Sequence, residues 1–260
     1  MSLSWEIEEL DREIGKIKKH SLILIHEEDA SSRGKDILFY ILSRKLKSDN
    51  LVGMFSISYP LQLIIRILSR FGVDVIKYLE NHRLAIVDTF GSFHGIKATM
   101  PGVWYLEGML SSETLPIKYA KAVEDHKKVW MDLNLFEGRE LYGFAISMSG
   151  YLEVFTPEET LRYLETSAEV RYGHPAYKKY PRGTNFWLWE GVKDKRVLLS
   201  VYRRADYVLK TRSSLGENGI KRELLVIKTP KPIEELVRFE YEFKGNEPKL
   251  RREGHHHHHH

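Results

Sequence analysis

The sequence predicts an α/β fold: one open, twisted, mostly parallel central sheet flanked by helices, with antiparallel strands in the C-terminal third. Three observations predict it. Short continuous apolar runs, Ser21–Ile25 and Leu84–Val87 among them, lack the alternation of a half-exposed strand and read as buried parallel strands. Helical patterns separate these runs, so strand and helix alternate along the first two thirds. From Asn185 onward, short strand patterns follow one another with little between them.

Taken in order, Trp5–Lys19 reads as an amphipathic helix, with acids early and lysines late as the helix dipole prefers. Ser21–Ile25 is the first strand, and the polar stretch His26–Arg33 leads to a helix over Lys35–Lys47. Leu51–Ser58 is a second strand. Pro60 opens a helix over Leu61–Phe71. Leu84–Val87 is a third strand, and Gly91–Pro116 reads as loop. Lys118–Met131 is helical and Leu141–Ile146 is a fourth strand. Thr156-Pro157-Glu158-Glu159 combines an N-cap, a first-turn proline and early acids, and starts a helix to Val170. Asn185–Glu190, Arg196–Tyr202, Tyr207–Lys210, Arg222–Lys228 and Leu236–Phe243 read as strands. The expected organisation is an N-terminal helix over 1–20, a single domain over 21–247 and an expression tag over 253–260.

Composition bounds the function. The 260 residues are 42% hydrophobic and 29% charged, which excludes a disordered chain. Cysteine is absent, which excludes disulfides and thiolate metal sites. Gln62 is the only glutamine among many charged residues, the composition of a hyperthermophile's protein. A formal charge of +4 is too small to mark a nucleic-acid binder by itself. No apolar run approaches the roughly 18 residues of a membrane span, so a cytoplasmic protein is expected. His20, His26, His82, His94, His126 and His174 show no metal-ligand spacing.

A strand, a loop and then Gly34-Lys35 opening a helix is the setting of a phosphate-binding loop. Laid on GxxxxGK[ST], the chain reads Asp29-Ala-Ser-Ser-Arg33-Gly34-Lys35-Asp36. Asp29 replaces the first glycine, and Asp36 replaces the hydroxyl that would hold magnesium. Helix N-terminal acid is the favoured reading of Asp36.

Further along, the order of motifs resembles the RecA-like ATPases of the KaiC type over most of residues 15–245. Arg204-Ala-Asp206-Tyr-Val-Leu209 resembles one strand of that family, and Arg222-Glu-Leu-Leu-Val-Ile-Lys228 resembles its closing strand. Tyr78–Asp88 resembles the lead-in to its third strand. The resemblance implies a RecA-like fold, but the catalytic positions differ. Ser58 and Tyr59 stand where water-poising acids would be, and Ser147 stands where the magnesium-organising Asp would be. Asp88 can be read as that Asp, although a cap on the Gly91-Ser92 turn is the favoured role. A carboxylate about 4 Å from a phosphate charge costs roughly 4 kcal/mol at an effective dielectric near 20, about a thousandfold in affinity.

A non-catalytic, pseudo-ATPase relative that binds a protein or peptide is therefore expected, with no cofactor. Residual ATP or ADP binding would fall to Asp29, Arg33, Gly34, Lys35 and Asp36. Trp5 on a detachable helix, Trp104 and Tyr105 in a long loop, and Lys178, Lys179 and Tyr180 are the candidate partner contacts, with self-association one version. Basic residues interleaved with aromatics over Arg171–Trp189 also suit single-stranded nucleic acid. A buried strand with a solvated basic flank is the favoured reading of that stretch. Nucleic-acid binding and nucleotide sensing without turnover remain the alternatives.

Overall fold

The computed structural model describes residues 2–254. An N-terminal ribbon pairs β1 (Ser2–Leu3) with β2 (Ile17–Lys18) around helix α1 (Glu8–Ile14). The body is one sheet of ten strands. In chain order these are β3 (Leu22–Glu27), β4 (Leu51–Ser56), β5 (Leu84–Val87), β6 (Val103–Trp104), β7 (Leu141–Ile146), β8 (Thr184–Glu190), β9 (Tyr207–Gly216), β10 (Gly219–Lys228), β11 (Val237–Lys244) and β12 (Glu247–Arg252). Across the sheet they run β12-β11-β10-β9-β3-β8-β7-β4-β5-β6. Every pairing from β9 to β6 is parallel, and β9 to β12 form an antiparallel meander at one edge.

Helices α2 (Gly34–Lys47), α3 (Leu61–Arg70) and α4 (Val75–Glu80) cover one face. Helices α5 (Thr89–His94), α6 (Leu115–Asp132), α7 (Tyr151–Val154), α8 (Pro157–Gly173), α9 (Pro175–Lys178) and α10 (Lys195–Arg204) belong to the other side. Strand parity divides the core between them. Ile23, Ile25, Val52, Met54, Phe144, Phe186 and Leu188 pack toward α2, while Leu24, Ala145, Trp187 and Trp189 face the second layer. Helix α8 starts as expected: Thr156 accepts from the Glu159 amide at 3.1 Å, and Glu159 accepts from the Thr156 amide at 2.9 Å.

Several expectations need correction. Arg196–Tyr202 is helix, not strand. Asp194 caps α10 by accepting from the Val197 amide, and Val197, Leu198 and Val201 are buried at helical spacing, which outweighs the β-branched character of the two valines. The segment read as loop over 91–116 holds most of α5 and the short edge strand β6, both too brief to show a period. Strand β8 is central rather than peripheral, with both faces covered, and β9 joins the parallel run. The sheet extends to Arg252, past the expected boundary at 247.

The N-terminal helix is shorter than expected, and Trp5 is not exposed. It is 0% accessible, donates its indole N–H to the Gly15 carbonyl at 2.9 Å, and meets the Tyr207 ring edge-on at 5.3 Å. This ribbon is packed into the core, not detachable.

Candidate functional site

The loop between β3 and α2 lies at the C-terminal ends of the parallel strands, and its own side chains hold it closed. Asp29 accepts from the amides of Ser32 at 3.1 Å and Ser213 at 2.8 Å, and from the Ser213 hydroxyl. Ser32 Oγ contacts Thr211 Oγ1 at 2.8 Å, and the Tyr241 hydroxyl donates to the Ser32 carbonyl at 2.6 Å. The loop is thereby tied to β9 and β11. Gly34 is required by proximity, because a Cβ there would stand 2.3 Å from Thr211 Oγ1 and 3.1 Å from Glu27 Cβ.

Lys35, the residue that would meet a phosphate, faces two carboxylates. Its Nζ lies 2.8 Å from Glu190 Oε1 and 3.4 Å from Glu27 Oε1, and its backbone N–H donates to Glu27 Oε2 at 2.8 Å. Tyr59 donates its phenol to the same Glu190 oxygen at 2.7 Å. Glu27 and Glu190 are register partners at the ends of adjacent strands and point to the α2 face by parity. A carboxylate of the chain thus occupies the anion position at the start of α2. A phosphate seated on Lys35 would lie against both acids, so the residues present do not fit a nucleotide's phosphates.

The electrostatics follow from this packing. Glu27 is 2% accessible, and burial pushes its carboxyl up to about 7 against the opposing pull of the Lys35 amide and ammonium. Burial pulls the Lys35 ammonium down, but the hydrogen bond and charge of Glu190, then Glu27, outweigh it and leave it above its ordinary value. Burial and the Glu190 charge push the Tyr59 phenol far up, so it remains a donor.

The flanking charges are also paired. Asp36 accepts from Arg33 at 2.7 Å and Arg70 at 2.9 Å, and the Arg33 guanidinium covers the Phe243 ring at 3.8 Å. Ser58 donates to the Ser147 carbonyl at 2.9 Å, and Ser147 Oγ contacts Ser149 Oγ at 3.0 Å and donates to the Leu188 carbonyl at 3.3 Å. Asp88 caps α5, accepting from the Gly91 amide at 2.8 Å. Among the described residues, no group of three or more His, Asp or Glu is placed to hold a metal ion.

The remaining candidates lie apart from this loop. Trp104 is half-buried in β6 beside the His126 ring, not in a free loop, and Tyr105 accepts from the Ala98 amide at 2.8 Å. Lys178 and Lys179 are exposed where α9 ends, with Tyr180 half-buried beside them. The aromatics that follow, Phe186, Trp187 and Trp189, are buried in β8. Sequence reading missed Glu27 and Glu190. The available signal was an acid at the end of each apolar strand, alone at Glu190 but one of three in Glu27-Glu28-Asp29; the pairing itself depends on tertiary register.

No protein-family model and no curated protein sequence matches the chain. Solved structures do. A crystal structure of the uncharacterized protein PH0321 from Pyrococcus horikoshii, in complex with an unknown peptide, is 97% identical with a TM-score of 0.94, over 97% of this chain and 100% of that one. The KaiC-like protein PH0186 from the hyperthermophilic archaeon Pyrococcus horikoshii matches with a TM-score of 0.67 at 12% identity, over 96% of this chain and 99% of that one. Among the described residues, no helix is long and apolar enough to cross a membrane.

Proposed function

From the premise that the chain belongs to the same family as PH0321 and carries the KaiC-like fold, we propose that it is a peptide-binding scaffold that has given up ATP hydrolysis. One observation carries the loss of chemistry: Lys35 is neutralised by Glu27 and Glu190, so the charge that would meet a phosphate is already satisfied. Phosphoryl transfer relies on positioning and positive charge at the developing anion. Here the nearest side chains add negative charge instead. The peptide in the PH0321 crystal supports the binding half of the proposal.

Two other readings lose support from the same geometry. Self-association through Trp5 would require pulling a buried indole from the core. Nucleic-acid stacking would require a run of open aromatics, but Phe186, Trp187 and Trp189 are buried in β8, leaving Tyr172 as the one fully exposed ring beside the exposed Lys178, Lys179 and Arg182.

The test is to purify the protein without denaturation, extract it with acid and analyse the extract by mass spectrometry, alongside a phosphate-release assay with ATP and magnesium. A recurring peptide mass and no phosphate release are expected. Turnover that Lys35→Met abolishes would refute the loss of catalysis. An extract without peptide, joined to no binding from a random peptide library, would refute the scaffold reading.

A further inference from the structure

A cavity of about 300 Å³ lies on the sheet face opposite α2, under helices α6, α8 and α9. Its lining reaches Leu22, Leu141 and Asp206 at the N-terminal ends of the strands, the far end from the phosphate-like loop. Parity explains the space. Gly53 in β4 and Gly143 and Ala145 in β7 turn toward this layer and leave room in the floor between Phe55, Asn185 and Trp187, with Asn185 lying over Gly143. Trp187, Tyr119 and Tyr177 supply aromatic walls. The volume is at the lower end of the ~300–1,000 Å³ of small-molecule sites.

Two of its buried nitrogen groups, on Lys127 and His126, are under-partnered. Lys127 is 3% accessible, yet beyond the Tyr177 ring 5.0 Å away its Nζ donates only to the Ala176 carbonyl at 3.1 Å, and no carboxylate pairs with it among the described residues. His126 is 5% accessible, and its Nδ1 has no hydrogen-bond partner. Arg171 lies 5.5 Å over the Trp187 ring, and Arg182 adds a further cation. Asp206 is the only acid in the lining, and its carboxylate already accepts from the Leu22 amide at 2.8 Å. Burial, then the Arg182 charge, lowers the Lys127 ammonium to about 8. A buried ammonium with unused donors and no counter-ion is costly, and a bound anion removes that cost.

We propose that this cavity binds a ligand with a carboxylate and a small apolar or aromatic body, the carboxylate on Lys127 and the body against Trp187 and Tyr119. A single fully buried ammonium matches a single negative charge better than a phosphate dianion. Both a peptide's C-terminal residue and a free aryl-alkyl acid carry this chemistry, so the inference goes beyond the peptide reading and stands without it.

The test is isothermal calorimetry on the full chain with three probes: phenylpropionate, acetyl-Gly-Gly-Phe with a free carboxylate, and the same peptide amidated. Lys127→Met and Gly53→Val are compared with wild type, and Lys121→Met on the exposed side of α6 is the control. A Cβ at Gly53 meets only ordinary contacts, His126 Nε2 at 3.7 Å and Trp130 at 3.9 Å, so the strand admits a side chain there, and the γ-methyls of Gly53→Val narrow the cavity and decide the matter should Lys127→Met fail to fold.

Wild type should bind at least one carboxylate probe, and both variants should weaken it roughly tenfold or more, as expected for losing a hydrogen bond to a charge. The control should not change, and the amide should bind at least as weakly as the variants do. Phenylpropionate binding without either peptide would support the site with a free acid as its source and count against the peptide reading. Peptides that bind equally as acid and amide, and that ignore both cavity variants, would overturn the site while sparing the scaffold. No binding of either carboxylate up to ~10 mM would also overturn it.

Discussion

The two ends of the parallel strands present opposite solutions to burying charge. At the C-terminal end, Lys35, Glu27, Glu190, Asp36, Arg33 and Arg70 pair with one another, and even the loop's glycine is filled against Thr211. Under α6, Lys127 and His126 are buried as deeply but lack counter-charges, over a floor that Gly53 and Gly143 leave open. A familiar sequence pattern surrounds the first region and none surrounds the second. Pattern alone would direct attention to the wrong one. Unmatched buried polar groups mark a place for a ligand, whereas matched ones mark a place already occupied by the chain.

Removing one partner from the closed region should have the largest effect on stability. Lys35→Met leaves two acids facing each other, one of them buried, and should destabilise by about 3 kcal/mol in chemical denaturation at pH 8. The loss should shrink at pH 5, where Glu27 is protonated. An equal loss at both pH values would mean the pairing is not what the lysine contributes.

The two regions should also differ in the sign of their pH dependence. Glu27 titrates near 7 when folded and at 4.5 when unfolded, so the folded state holds more protons in that window and stability falls as pH rises through it. Glu27→Gln should remove that slope, worth up to about 3 kcal/mol across the window. Burial, then the Lys127 charge, lowers His126 to about 3 from 6.5. Here the unfolded chain holds more protons, so stability falls as pH drops below 6.5, by about 2 kcal/mol at pH 5. His126→Gln should flatten that acid limb. Urea titrations of both variants from pH 5 to 8 would check the two slopes, and slopes of one sign would break the contrast.

Glycines give the smallest and sharpest comparison. Gly34→Ala places a Cβ 2.3 Å from Thr211 Oγ1 and should cost about 1–3 kcal/mol. Gly53→Ala meets nothing closer than 3.7 Å and should stay within about 0.5 kcal/mol of wild type. Denaturation midpoints of the two variants measure both. A tolerated alanine at Gly34 would show that the loop is looser than its contacts imply.

Much of this fold was legible because its strands are buried on both faces and therefore read as continuous apolar runs, as with Leu22–Ile25 and Leu84–Val87. Where sequence reading failed, local signal was short or ambiguous. The α10 segment, Lys195–Arg204, is rich in residues that suit either element, and only its Asp194 cap and buried spacing decide for helix. The exposed character assigned to Trp5 failed because its neighbours, Phe186 and Tyr207, come from distant strands. At the loop, Gly34-Lys35 was visible as a motif. The acids that meet it were not, since Glu27 and Glu190 become neighbours only through the parallel pairing of β3 with β8. The cavity under α6 was invisible for the same reason: Gly53 and Gly143 are unremarkable until the fold brings the first beneath His126 and the second beneath Asn185.

The most direct test of the central claim is a calorimetric titration of wild type with ATP and ADP, with and without magnesium. With Lys35 held by Glu27 and Glu190, no heat of binding is expected up to ~1 mM nucleotide. Binding in the micromolar range that Lys35→Met abolishes would contradict the account, because the loop would then be open to phosphate despite its internal acids.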